Sequence, residues 1–288
     1  MRVRYEKQKK DGWDLRIHPD YTAPEFVALC SPEGVRSRSG FEKIRDSRNT
    51  LLFRFNWNGK TFYHKEFKSP TPGRQLRKRF RAFHQIRVVA ALRSRGLACP
   101  DVLCAGRKGT RIFCVYEGIF ADGNAPGIYN RIVQGQETRM TSGDFLYEFG
   151  KFTGTMHRQR VAHGDYQWGN VLVQFAGNTP SFVLIDNDRT STLTGLIYWY
   201  RLRNLIQLMH AADYVSEDDW KQFWVGYTKS YSRGLRWKPL IERMVQKRVA
   251  RGVSELLTGG KIEHRGSKKT GGYWVVGKPE NYFEYYVQ

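Results

Sequence analysis

The segment HGDYQWGNVLV, residues 163–173, sets Asp165 and Asn170 five positions apart, just ahead of an apolar run. Sixteen residues beyond Asn170, Asp186 closes the run FVLID. If the two runs fold back on each other as a hairpin, all three side chains can meet at one mouth. Phosphoryl transfer from a nucleotide asks for such a set. One carboxylate orients an attacking hydroxyl and accepts its proton, while an amide oxygen and a second carboxylate hold Mg2+ on the phosphates. Hard oxygen donors suit Mg2+, which keeps several waters and binds through few protein groups. The plainer alternative is a polar loop in which Asp165 and Asn170 are turn formers. Upstream, alternation in TFYHKEF (61–67) puts Thr61, Tyr63, Lys65 and Phe67 on one face, and an inward Lys65 would steady nucleotide phosphates.

The elements that must position these residues follow from pattern. EFVALC (25–30) reads as a strand, and TLLFRFNWNGKTFYHKEF (50–67) as two strands around the two-residue turn Asn58-Gly59. From Gly73 a basic amphipathic helix is expected, with Leu76, Phe80, Phe83, Ile86 and Ala90 at helical spacing and Gly96 as its terminator. DVLCAG (101–106) and TRIFCVYEG (110–118) read as two more strands. The character then turns helical, with a helix over 142–160 capped at Ser142, a hairpin over NVLVQF and SFVLIDN, and helices at 199–214 and 216–230. This order predicts an α+β chain with a small antiparallel-sheet lobe holding one main helix, then a mostly helical lobe. The expected boundaries are 1–117 for the first lobe with its N-terminal extension, 118–235 for the second with the Asp165 loop, and 236–288 for a basic C-terminal extension.

HGDYQWGNVLV, LIDNDR, YHKEF and the early KIRDSRNTLLFRF together resemble the lipopolysaccharide core kinases, the bacterial heptose and Kdo kinases of the protein-kinase-like superfamily. The likeness spans roughly residues 20–230, and RLRNLIQLMHAADYVSEDDWKQFWVGYTKSY is similar to that family's helical half. The resemblance implies a two-lobed protein-kinase-like fold and ATP-dependent phosphorylation of a heptose or Kdo hydroxyl of the lipopolysaccharide inner core. By the same resemblance Asp165 is the catalytic base, Asn170 and Asp186 are Mg2+ ligands, and Lys65 is the nucleotide lysine. Adenine would be read mainly by backbone groups near Glu117 to Ile119.

Some positions depart from the wider kinase pattern. The stretch GFEKIRDSRNT (40–50), expected as the loop between the first two strands, has one glycine in place of a glycine-rich flap. Phosphate contacts would then come from backbone amides near Ser47 and from Lys43 or Arg48. No acidic residue lies between Glu66 and Asp101 to pair with Lys65, and Glu66 itself would face away from it. Gln85 or His84 is the expected substitute, since either can hydrogen-bond an ammonium without neutralising it. DND (186–188) leaves no phenylalanine switch, and no protein-substrate activation segment follows. His163 reads as a structural hydrogen-bonder and His157 as a core residue. Asp188 either supports Mg2+ or pairs with Arg189, and Arg203 and Asn204 either anchor the loop or serve as capping and surface residues.

Composition bounds the partners. The 288 residues carry 48 Lys and Arg against 27 Asp and Glu, a net charge of +21, which attracts nucleic acid, anionic membrane or phosphorylated substrates. With 40% hydrophobic residues the chain can bury a sizeable core. The first residues lack the apolar run of a secretory signal, and no stretch has the length of a membrane span, so a cytoplasmic protein is expected. Cys30, Cys99, Cys104 and Cys114 read as reduced thiols, because the Cys99/Cys104 spacing lacks the second pair of ligands a structural zinc site needs. The basic helix at 74–95 and the basic tail fit docking at the inner face of the inner membrane, where each nearby Lys or Arg contributes about 1 kcal/mol. The resemblance, taken with this charge, implies as partners ATP, Mg2+, a lipopolysaccharide core or lipid-linked sugar acceptor, and an anionic membrane surface. Two rivals stay open: a kinase of another small molecule or protein, and a basic pseudokinase binding RNA or anionic membrane. The aromatics form no RNA-binding motif, which disfavours nucleic acid. Oligomeric state is left open.

Overall fold

The computed structural model describes residues 3–37, 40–47, 49–68, 81–192, 197–209 and 215–232. Arg48, the expected helix over 74–80 and the basic extension 236–288 lie outside the described residues. The chain divides into two compact units, one from the N-terminus to Phe120 together with Val183–Asp188, the other from Ala121 to Phe182 and from Arg189 onward.

The first unit is built on a seven-stranded antiparallel sheet. Its strands are β1 (Glu6–Lys10), β2 (Trp13–Ile17), β3 (Glu42–Asp46), β4 (Thr50–Trp57), β5 (Lys60–Phe67), β6 (Val102–Lys108) and β7 (Arg111–Glu117), in the order β1-β2-β6-β7-β5-β4-β3. The β4–β5 hairpin turns at Asn58 and Gly59, both with positive φ (49° and 73°), as its Asn-Gly turn predicts. A second hairpin of the same kind joins β1 and β2 through Asp11 and Gly12 (51° and 79°). The sequence reading missed it, although Asp-Gly carries the same signal. Residues 42–46, expected as loop, form β3.

Residues 25–30 are not a strand. They lie in helix α1 (Pro24–Cys30), followed by α2 (Pro32–Arg36). Pro24 fits the first helical turn, where no N–H is needed. The buried residues Phe26, Val27, Leu29 and Cys30 recur at three and four, whereas a half-buried strand would alternate. This apolar stripe joins Trp13, Leu15, Ile17, Phe55, Phe62, Phe113 and Val115 in one core on one face of the sheet. Helix α3 (Arg81–Arg93) lies over the opposite face, where the Phe83 ring sits under the guanidinium groups of Arg16 (4.7 Å) and Arg107 (5.4 Å). Its buried stripe is Gln85, Val88, Val89 and Leu92, so the expected register was off: Ala90 is exposed. Gly96, at φ +71°, ends the helical segment as expected.

The second unit holds β8 (Gly123–Asn124), α4 (Ala125–Val133), α5 (Ser142–Arg158), β9 (Val171–Ala176), β10 (Thr179–Leu184), α6 (Ile197–Met209) and α7 (Glu217–Ser230), with the last residues of β10 returning to the first unit. The cap of α5 is Thr141, not Ser142: the Thr141 hydroxyl accepts the Asp144 N–H, while Ser142 donates to Asp219. Helices α5 and α7 approach backbone to backbone through glycines. A Cβ on Gly150 would lie 2.1 Å from the Phe223 carbonyl oxygen, and one on Gly226 2.0 Å from that of Tyr147. All four cysteines are buried and in no disulfide, and burial pushes the Cys99 and Cys114 thiols up to about 12, which leaves them inert.

Candidate active site

Lys65 and Asp186 meet in the first unit. On β5, Lys65 lies opposite Leu52 and Cys114, its side chain 8% exposed, and its ammonium donates to Asp186 Oδ1. Asp186 follows β10, whose end is held to this unit by the Leu184 N–H bonded to the Ala98 carbonyl at 2.9 Å. Its backbone has φ +58°, a left-handed conformation that Asp and Asn tolerate better than other side chains. Next to it, Asn187 is buried and donates to the Leu184 carbonyl at 2.7 Å.

Glu66 points to the other side of β5, where Arg36 grips it with contacts of 2.8 and 3.0 Å. Gln85 is 1% exposed, and neither its amide oxygen nor its amide nitrogen has a hydrogen-bond partner among the described residues. It lies on the helix that covers the sheet face carrying Arg16 and Arg107. The register puts Cys114, and with it Lys65, on that same face. The Ser47 hydroxyl is spent locally, accepting the Thr50 N–H at 3.1 Å and bonding the Thr50 hydroxyl at 3.0 Å, so it builds the turn into β4. Glu117 closes β7, and its carboxylate accepts from Lys60 (2.9 Å) and Tyr21 (3.2 Å). The Glu117 and Gly118 amides donate to the carbonyls of Asp101 and Thr61.

The second unit assembles the Asp165 loop. Helix α6 supplies two amide side chains to it. Asn204, 1% exposed, takes the His163 N–H on Oδ1 at 3.0 Å and gives Nδ2 to the His163 carbonyl. This pair of hydrogen bonds, to the N–H and the carbonyl of one residue, fixes which end of the amide is oxygen. His157 Nε2, 3.4 Å from the same oxygen, is therefore the donor, and its Nδ1 accepts the Tyr227 hydroxyl at 2.9 Å. Burial, reinforced by the Arg201 cation, brings His157 down to about 3, consistent with a neutral ring. His163 is buried as well, and its Nδ1 accepts the Asp165 N–H at 3.2 Å. Both histidines thus have structural bonds. Arg203 is exposed.

Asp165 itself is half-buried. Its Oδ1 accepts from Gln167 Nε2 (3.2 Å) and Gln207 Nε2 (3.4 Å). The Asp165 carbonyl accepts Asn170 Nδ2 at 2.8 Å, which turns Asn170 Oδ1 away from that bond. No donor among the described residues reaches that oxygen. An amide oxygen left open is a hard donor of the kind Mg2+ takes, and in the first unit the Asp186 carboxylate is another. Among the described residues no group of three or more His, Cys, Asp or Glu is gathered for a metal. Gln207 was missed from sequence. Its signal was faint: a second amide three positions after Asn204 on a helix otherwise burying Leu205, Ile206 and Leu208.

No curated protein matches this sequence. A solved structure of WaaP in complex with acyl carrier protein is similar in fold, with a TM-score of 0.60, 18% identity, 81% of this chain covered and 98% of that one. The fold is accordingly protein-kinase-like, the one the sequence motifs implied. In all, 1363 solved chains match, so the fold by itself selects no acceptor. The model of the Lipopolysaccharide kinase (Kdo/WaaP) family matches residues 43–227, a stretch that holds Lys65, the Asp165 loop, Asp186 and the two amides of α6. With that match covering well over half its length, the chain belongs to the Lipopolysaccharide kinase (Kdo/WaaP) family and is a kinase of lipopolysaccharide biosynthesis.

Proposed function

We propose that the protein transfers the γ-phosphoryl group of ATP to a sugar hydroxyl, heptose or Kdo, of the lipopolysaccharide inner core. The observation that carries this reading is the Lys65–Asp186 ion pair, which joins residues 121 positions apart in one partly buried contact. Phosphates entering beside Lys65 replace Asp186 as the partner of its ammonium and release the carboxylate. Asn170 Oδ1 and Asp186 are the groups that would hold Mg2+, which supplies charge neutralisation on the phosphates when bound. Asp165 orients the acceptor hydroxyl and accepts its proton, so catalysis is mostly positioning and electrostatic stabilisation. With the Glu117 and Gly118 amides engaged, adenine contacts from this stretch fall to its carbonyls and to the Ile119 amide. A phosphate contact from Ser47 falls to its backbone surroundings, because its hydroxyl is engaged.

The acceptor is lipid-linked, so we place the protein at the inner face of the inner membrane. No helix among the described residues is long and apolar enough to cross a membrane. The net charge of +21 supports attraction to an anionic lipid surface. The lobes are read as 1–117 and 118–235, followed by the extension 236–288.

The test is transfer of label from γ-labelled ATP, with Mg2+, onto lipopolysaccharides lacking core phosphates and onto free sugars. Label on a core sugar is expected, falling about 10²–10⁴-fold in Asp165→Ala with the melting temperature retained. Full activity in that variant would remove Asp165 from its role. Label only on small molecules or proteins would favour another acceptor, and no transfer with strongly salt-dependent polyanion binding would favour the pseudokinase.

A further inference from the structure

The reading above gives Asp165 a task without saying how one of its two carboxylate oxygens is set aside for it. Both amide donors that reach the carboxylate, Gln167 Nε2 at 3.2 Å and Gln207 Nε2 at 3.4 Å, land on Oδ1. Among the described residues no donor reaches Oδ2. The orientation of Gln207 is not free. Its Oε1 accepts the Tyr166 N–H at 3.1 Å and lies 3.4 Å from Asn204 Nδ2, so its NH2 end must face Asp165. Tyr166 is itself immobilised, fully buried with its hydroxyl bonded to that of Thr153 at 2.9 Å. The chain of contacts runs from a buried tyrosine, through the Gln207 amide, to a single oxygen of Asp165.

We propose that Gln207, assisted by Gln167, is a positioning residue for phosphoryl transfer: it binds Asp165 Oδ1 and so presents Oδ2 to the acceptor hydroxyl. The proposal rests on Asp165 being the base. A neutral amide suits the task for a definite reason. Lysine or arginine would add a full positive charge at the carboxylate, and a carboxylate in place of the amide would repel it. An amide donates to one oxygen with the reach of a glutamine on a fixed helix. At 3.4 Å the contact is long for a hydrogen bond, and it is expected to shorten when substrate binds.

The experiment compares Gln207→Glu, Gln167→Ala and Asp165→Ala with the unaltered chain. It reads label transfer from ATP both to lipopolysaccharide lacking core phosphates and to water. Gln207→Glu keeps the acceptor for the Tyr166 N–H and replaces the donor to Asp165 with a carboxylate that repels it. We expect its kcat to fall about tenfold or more, with the nucleotide KM held within about twofold and an unshifted melting temperature. Gln167 is exposed, so its truncation leaves folding intact, and its kcat should fall about threefold. A Gln207→Glu enzyme with unchanged kcat overturns the proposal. So does one whose melting temperature and nucleotide KM worsen in step with kcat, since that marks a merely structural residue. If Gln207→Glu does not fold, Gln167→Ala decides: unchanged kcat overturns the proposal, and a lowered kcat with unchanged nucleotide KM supports it. Activity retained in Asp165→Ala, or no transfer by the unaltered chain, removes the underlying reading and this proposal with it. That outcome is distinct from a dead Asp165→Ala beside an unaffected Gln207→Glu.

Discussion

The two units differ at the polar groups beside their candidate site residues, although the helical unit also buries side-chain atoms with no hydrogen-bond partner among the described residues, Arg131 Nε and Trp220 Nε1. In the sheet unit, Gln85 has neither end of its amide bonded among the described residues, and His64 has one ring nitrogen on the Cys30 carbonyl (2.9 Å) and the other unpartnered. In the helical unit, Asn204 bonds both the N–H and the carbonyl of His163, and both nitrogens of His157 are used. A buried unsatisfied amide costs stability, whereas a saturated network fixes geometry. Under the proposed function the sheet unit, which would take nucleotide, keeps bonding capacity in reserve. The helical unit holds the proton-accepting loop already shaped for its task.

Substitutions can break that contrast. The largest effect is expected at Asn204→Leu, which strands the His163 N–H and carbonyl and the His157 ring in the interior. Unfolding free energy should fall by about 3 kcal/mol or more in denaturant titrations. A loss below about 1 kcal/mol would mean that the network is no more binding than its counterpart in the sheet unit.

Acidification tests both units together. Burial brings His64 and His157 each down to about 3, against an ordinary value of 6.5. Below about pH 6.5 the unfolded chain takes up these protons and the folded chain does not, so stability is highest above that value and is lost as pH falls toward 3. The slope from each histidine rises from about 0.7 kcal/mol per pH unit at pH 6.5 toward about 1.4 below pH 5.5, and the first pH unit lies largely above the usual carboxylate range. Replacing either histidine with phenylalanine should lower the slope by about one proton, and a slope unchanged in both variants would sink the assignment.

The smallest effect has the opposite sign. Gln85→Leu removes an unsatisfied amide from a stripe otherwise made of Val88, Val89 and Leu92, so stability should rise by about 1 kcal/mol. Nucleotide affinity should weaken if the amide serves Lys65. A Gln85→Leu protein less stable than the parent would show that the amide is bonded after all, and the contrast between the units would narrow.

How far the sequence was legible follows from the same bonds. Turn chemistry was readable where it was looked for. Asn58-Gly59 marked its hairpin, and Asp11-Gly12 marked another that went unread because its first strand, EKQKK, has no apolar residue and only the second, WDLRI, alternates. Residues 25–30 were misread because a six-residue apolar run fits either strand or helix, and only Pro24 with the spacing of buried residues separates them. The register of α3 was missed because Gln85, a polar residue, occupies a buried position, and a hydrophobic count skips it. Lys65 and Asp186 were legible because strand alternation in TFYHKEF places the first and the end of the run FVLID places the second. Gln207 was not, since one of its partners is a backbone N–H forty-one residues away, and a main-chain donor leaves no letter in the sequence.

The left-handed backbone of Asp186 decides which variants can be interpreted. Alanine at φ +58° carries a conformational cost of about 1–2 kcal/mol, so an alanine scan would record backbone relaxation and charge removal as one number. Asparagine accepts the same backbone and deletes only the charge, while glycine accepts it and deletes the side chain. The pair Asp186→Asn and Asp186→Gly therefore divides electrostatics from geometry at this position, and an alanine variant alone would overstate the chemical importance of the carboxylate.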